Sequence, residues 1–575
     1  MSSKIVGNKT PNDGEMADAP ETMPADIKDG SDGGSENEME MKTGVDEGSV
    51  ETKTAMEKSL KEVTTSSKEK SFGMNEKGHF VRRTGINWIL AALFIIADMA
   101  GGGIVAVPAS VQNLYFVPGV VFSLMMAGIA MWTCSLLGRC WVMLQQRFPE
   151  YRDHCRQVFA EIGYRSLGKW GKTWVTITIG INQLGVSVIY LLLAAKSIND
   201  AVLTLTSYEH LHYCYVILIL ALILLPLNFL KSPEDFWPVT FAAMACSVLS
   251  VVFICIGSAL DYSKCSPTKD EFFNNIRHIT PMQTISAFGT LVFSYGGHAS
   301  FPVILHDMKR PSQFVKSSYL AFGLQVLLYV PMSIVASLTY GGHIKASVIN
   351  SIQTVWAQQA VNLMICLHCI TALLLMLNPL NQDAEERLKV PHHFGWKRVV
   401  VRTGVLFVVT FLAVSVPSFG PIIDLVGATT TLLTVLIFPP LFYFCLTASG
   451  NIHAENTEKS LSKKVTGSDE KADAYPVVSF KEMIRYNSKF HLAWGFFIML
   501  LGAVICVSAT TSAVYELSHA SFEYPCYVQP FITMEKRLPT ATFCCGPGVN
   551  GTLATQEGMI CLDGSVVQQS LWKKP

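Results

Sequence analysis

Uninterrupted apolar stretches of about twenty residues, the length that crosses about 30 Å of hydrocarbon, recur along this chain and limit its fold more than any other feature. The composition agrees. Of the 575 residues, 50% are apolar and 15% charged, against about a quarter charged in an ordinary soluble protein. The formal net charge is zero, so nothing points to nucleic acid as a partner. The partner implied by the apolar stretches is the lipid bilayer, and the fold class is an all-α integral membrane protein.

Eleven spans are expected, near 86–114, 118–145, 173–196, 213–230, 237–260, 283–305, 319–340, 355–378, 402–417, 421–447 and 491–515. They divide the chain into a tail over 1–83, a transmembrane domain over 84–515 and a Cys-containing tail over 516–575. The first tail is rich in Glu, Asp, Lys, Ser and Gly and has too little apolar surface to offset its ordering entropy, so it is expected to be disordered. It holds no apolar segment of a cleaved signal peptide.

Basic residues set the expected orientation, since they favour the cytosolic side. Arg82 and Arg83 precede the first span, and Arg147, Arg152, Arg156, Arg165, Lys169 and Lys172 follow the second. Lys309, Arg310 and Lys316 follow the sixth, and Arg387, Lys389, Lys397 and Arg398 the eighth. The alternate loops are poorer, apart from 261–282 with Lys264, Lys269 and Arg277. The N-terminus is therefore placed in the cytosol, and eleven spans then put the C-terminus outside the cell or in a lumen. A plasma membrane and a lysosomal or vesicular membrane fit equally.

The C-terminal tail carries Cys526, Cys544, Cys545 and Cys561 and a glycosylation sequon at Asn550-Gly551-Thr552, both suited to an oxidising side. Four cysteines allow three pairings. Cys214 and Cys265 lie near the same face and are a further candidate pair; free thiols are the alternative. No CxxC pair or His cluster accompanies them, so no metal is expected.

Two spans are interrupted. The first reads LFIIADMAGGGIVAVPASVQN, with Gly101, Gly102, Gly103 and Pro108 weakening the helix and Asp98 just before them. The sixth reads TLVFSYGGHASFPVIL, broken at Gly296, Gly297 and Pro302, with His298 at membrane depth. Small residues can serve helix packing alone. Unpaired backbone, however, is tolerated in a membrane only when buried in protein or lining a cavity. Two broken spans five apart, as in a five-plus-five inverted repeat, mark a midplane substrate site. Freed N–H groups at Gly101–Gly103 suit a carboxylate and freed carbonyls an ammonium, which together describe an amino acid. Asp98 and His298 are the candidate proton carriers, because ionisable groups inside a membrane are costly and usually functional. The plainer reading of each is a hydrogen-bonded bridge between helices. Asp424 and Glu516 fall near span ends and receive no role.

Three segments carry a family resemblance: FGTLVFSYGGHASFPVILHDMKRPSQFVKSSYLAFG, GVSVIYLLLAAKSIND and VPSFGPIIDLVGATTTLLTVLIFPPLFYF. Together they resemble the amino acid/auxin permease family over about residues 85–515, and ADMAGGGIVAVP is most similar to invertebrate-type members. The resemblance implies a LeuT-type fold and secondary active transport of amino acids or related amines by alternating access. Carried over by motif position, the binding residues are Gly101, Gly102, Gly103, Ile104, Ser294, Tyr295, Gly296 and Gly297, with Tyr190 bordering the path. Sodium-coupled members carry an Asn where this chain has Ala97 and a Thr near Ala372, beside Thr371. A hard cation needs oxygen ligands, so the departure favours protons as the coupling ion, with no other cofactor. A sodium-coupled carrier, a membrane amino acid sensor signalling through the cytosolic tail, and an ion channel are the alternatives. No hydrolase, zinc-protease or nucleotide-loop motif marks an enzyme. Nothing in the sequence sets an oligomeric state.

Overall fold

The computed structural model describes residues 72–74, 80–152, 155, 157–206, 213–229, 237–267, 279–391, 395–416, 419–465, 475–519, 525–528, 559–562 and 565–568. Most of the N-terminal tail, Cys544, Cys545 and Asn550 lie outside the described residues, as do the side chains of Cys561 and Glu516.

Strands β1 (Phe72–Met74) and β2 (Phe80–Arg82) form an antiparallel pair. Helix α1 (Trp88–Met99) starts where the Asn87 side chain accepts from Leu90 N at 2.8 Å. After the glycines, α2 (Gly103–Asn113) continues at 64° to α1. Then come α3 (Val117–Arg147), α4 (Val158–Thr206), α5 (Tyr213–Leu227) and α6 (Trp237–Cys265). Helix α4 is kinked at Gly168, whose φ of 72° suits only glycine.

The sixth expected span is also in two pieces, α7 (Pro281–Ser294) and α8 (Phe301–His306). A Thr280–Gln283 capping box with Pro281 at the first turn starts α7. Helices α9 (Phe314–Tyr340), α10 (Val355–Arg387) and α11 (Trp396–Ser415) follow. The tenth expected span is α12 (Phe419–Val426), two π-helical turns over Gly427–Thr431 and Leu433–Ile437, and α13 (Phe438–Val465). A short α14 (Phe480–Tyr486) precedes the last long helix, α15 (Lys489–His519). An antiparallel pair, β3 (Met559–Leu562) and β4 (Ser565–Gln568), stands near the C-terminus.

Among the described residues, eight helices are long and apolar enough to cross a membrane, and the bent α1–α2 pair makes a possible ninth. The expected count of eleven is not reached on that measure. The two other expected spans fall on shorter helices: α5 has 15 residues, and α7 and α8 have 14 and 6. The physical reason at the sixth is the break itself, since residues 295–300 leave the helix.

Helix α10 packs along α4 and α6, and α9 lies against α3, α6 and α1. The outward faces stay apolar, with Leu222, Phe407 and Val507 exposed, as suits a lipid-facing surface. At one end of the bundle Glu385 on α10 accepts from Arg402 Nε at 2.6 Å and forms an ion pair with Arg398 Nε at 3.1 Å, both on α11. Arg402 Nη1 also donates to the Asn228 carbonyl at 2.8 Å, and Asn228 Nδ2 donates to the Arg402 carbonyl at 2.9 Å.

The expected Cys214–Cys265 pairing is corrected. Cys214, at the start of α5, is joined to Cys526, and Cys265 is disulfide-bonded elsewhere. Cys526 N also donates to the Val414 carbonyl at 2.8 Å, which holds the tail against the end of α11. Sequence separation hid this pairing, because 312 residues lie between the partners.

Replacing Glu385 by Ala removes the one carboxylate that both buried guanidinium groups share. The expected loss is about 3–5 kcal/mol of stability, read as a lowered melting temperature of the purified protein. A melting temperature equal to that of the unchanged protein would refute the structural role assigned to this cluster.

Candidate functional site

The last four carbonyls of a helix have no partner within it, and at the end of α1 they lie in the interior of the bundle. Three of them are met by hydroxyls from three different helices. Tyr190 of α4 donates to the Asp98 carbonyl at 3.4 Å and Tyr329 of α9 to the Met99 carbonyl at 3.3 Å, while Ser247 of α6 shares its hydrogen between the Ala100 carbonyl and the Ala243 carbonyl of its own helix, both at 3.0 Å. Ser247 Oγ is also 2.8 Å from Nδ1 of the buried His368 on α10. The carbonyls expected to be free for an ammonium thus already have protein donors.

The two breaks meet each other. A methyl group at Gly103 would fall 2.8 Å from the side chain of Ser294, and one at Gly297 would fall 2.6 Å from Asp98 Oδ2 and 2.5 Å from Phe301. Only glycine allows these approaches. Tyr295, which follows α7, is anchored by a 2.8 Å hydrogen bond with Ser123 of α3 and lies 5.6 Å from the ring of Tyr329.

Between the breaks lies a cavity of about 30 Å³ open to water-sized molecules, room for about two waters. An amino acid enters only if the walls move apart. Asp98 and Met99 form one side, and Gly296, Gly297, His298 and Ser300 another. Tyr190, Asn182, Met376, Thr431 and Thr434 complete it. Of the residues expected at a binding site, Tyr190, Gly296 and Gly297 line this cavity, as do Asp98 and His298. Gly101, Gly102, Gly103, Ile104, Ser294 and Tyr295 are buried and do not line it; Gly101 faces Tyr190 and Gly103 faces Ser294.

Asp98 faces the cavity half-buried. Among the described residues no Lys or Arg pairs with it. His298 is fully buried, with Nε2 at 3.1 Å from both the Ala130 carbonyl and Thr133 Oγ1. Because a carbonyl can only accept, Nε2 carries the hydrogen there. Among the described residues, Nδ1 has no hydrogen-bond partner.

Several residues at the site carry no mark in the sequence. Asn182 donates through Nδ2 to Thr430 Oγ1 at 3.1 Å and Thr431 Oγ1 at 2.8 Å, tying α4 to the π-helical stretch. Such stretches occur often at functional sites, and nothing in a run of Thr, Leu and Val announces one. Asp424, given no role from its place near a span end, accepts from Ser286 at 2.7 Å and from Thr290, so it fastens α12 to α7.

Membrane-length helices around a small polar cavity between two broken segments have the form of a membrane transport protein. The family model described as "Transmembrane amino acid transporter protein" matches residues 84–466, and the chain belongs to that family of transporters rather than to any class of enzyme. It is 24% identical to the amino acid transporter ANT1 of Arabidopsis thaliana over 372 residues, 61% of this chain and 83% of that protein. It is 22% identical to the amino acid transporter AVT1B of Arabidopsis thaliana over 302 residues, 50% of this chain and 54% of that protein. Among solved structures it is similar to MhsT in complex with L-phenylalanine, at 10% identity and a TM-score of 0.40, covering 73% of this chain and 98% of that one.

The close approach at Gly297 predicts that Gly297→Ala overpacks the junction between the breaks. The expected cost is about 1–3 kcal/mol, seen as a lower melting temperature. An alanine variant as stable as the unchanged protein would mean that the two breaks are not in the contact described.

Proposed function

We propose that the protein is a secondary active carrier of amino acids that works by alternating access around the cavity between the first and sixth spans. The observation that carries this reading is the meeting of the two breaks around one small cavity. A channel needs a continuous path, whereas a small cavity bounded by two helix breaks suits a carrier. A LeuT-type arrangement, with two five-span halves and eleven spans in all, fits the positions of the breaks five spans apart. The N-terminus is then cytosolic and the C-terminus outside or luminal.

Protons are the coupling ion in this proposal. Asp98 faces the cavity without a cationic partner, so a proton or the ammonium of the substrate can balance its charge. Ala97 supplies no side-chain oxygen, and a hard cation needs oxygen ligands, which weakens the case for a sodium site.

Uptake into reconstituted vesicles, measured with and without sodium and under imposed proton gradients, tests the reading. Uptake is expected to follow the inward proton gradient and to survive the removal of sodium. The variant Asp98→Asn keeps the shape and removes the titratable group. Its proton-driven uptake is expected to fall about tenfold or more, the factor that about 1.4 kcal/mol carries. Strict sodium dependence would overturn proton coupling, and undiminished uptake by the variant would remove Asp98 from that role.

A further inference from the structure

We infer that the wall formed by Asn182 and Thr431 recognises the side chain of the substrate, and that the preferred substrates are neutral amino acids ending in a carboxamide. This rests on the carrier reading above and specifies its substrate class. The argument starts from the hydrogen atoms available at that wall. An amide nitrogen has two, and Asn182 Nδ2 gives both to Thr430 and Thr431. The acceptor Oδ1 of Asn182 is left for the cavity that this residue lines.

The hydroxyls can be accounted for in the same way. Thr434 donates to the Thr431 carbonyl at 2.9 Å and Thr430 to the Val426 carbonyl at 3.5 Å. Ser300 donates to the sulfur of Met376 at 3.8 Å. Thr431 accepts from Asn182, and among the described residues nothing takes its own hydroxyl hydrogen. The wall therefore offers Asn182 Oδ1 as a carbonyl acceptor and the Thr431 hydroxyl as a donor. A carboxamide presents the complementary pair, an N–H₂ for Oδ1 and a carbonyl for the hydroxyl.

Other side chains fit less well. A carboxylate has no hydrogen for Oδ1 and would share the cavity with Asp98, and no Lys or Arg lines the cavity to compensate. An aliphatic side chain would cover Oδ1 and leave it unpaired, and a site built for a polar group discriminates against such analogues. The position within the fold adds a second observation. Thr431 stands at the end of the first π-helical turn, where the backbone departs from the regular helix.

The test compares near-isosteric pairs in reconstituted vesicles: L-asparagine against L-leucine, and L-glutamine against L-glutamate. The unchanged protein is expected to favour the amide in each pair by about tenfold or more in kcat/KM. In Asn182→Leu the asparagine-to-leucine ratio is expected to fall about tenfold. If that variant does not fold, Thr431→Val removes a single hydroxyl and is expected to lower the same ratio by about threefold or more. Equal uptake of glutamate and glutamine by the unchanged protein, or ratios unmoved in the variants, overturns the assignment while leaving the carrier intact. Failure of the unchanged protein to transport any of the four overturns the carrier reading and this assignment with it.

Discussion

Backbone carbonyls away from water must find donors, and at the break of the first span three in a row lack helical partners. A carbonyl left unpaired in a membrane interior costs several kcal/mol. The bundle meets the need with Tyr190, Tyr329 and Ser247, drawn from α4, α9 and α6. The same three bonds fix where those helices stand relative to the break. The irregular backbone is thus held from several sides at once, although it is the least helical part of its span.

That anchoring determines where the cavity forms. With the end of α1 pinned, Gly297 brings the sixth-span break against Asp98 and Gly103 brings α2 against Ser294. The π-helical stretch and Asn182 close the remaining side. The result is a cavity containing one carboxylate and little free volume. Asp98 thus stands where the two breaks touch.

Much of the fold was legible in the sequence because the determining properties are local. The length of an apolar run and a cluster of glycines can be read without knowing any neighbour. The positions of both breaks, the nearness of Asp98 and His298 to them, and the helical class followed from such features, whereas Tyr190 came from the family motif. The count of spans was less legible. A broken helix and a 15-residue helix (α5) read as full spans in a hydropathy pattern, yet neither has the length on its own. The pairing of Cys214 was not legible either, because it depends on which distant segment arrives beside it.

The polar residues divide most clearly. A Ser, Thr or Asn in an apolar helix looks alike in sequence whether it faces a cavity, a neighbouring helix or its own backbone. Thr371 turns to its own helix, Ser247 reaches another span, and Thr431 lines the cavity. The sequence by itself determined that the chain crosses a membrane many times and breaks its helices at Gly101–Gly103 and Gly296–Gly297. Only the tertiary structure decided which hydroxyls cap the freed carbonyls, that Asp424 fastens α12 to α7, and that Asn182 and Thr431 share a cavity with Asp98. The physical reason is that hydrophobic length and helix breaking are properties of a segment, whereas a hydrogen bond exists only once both partners have been placed.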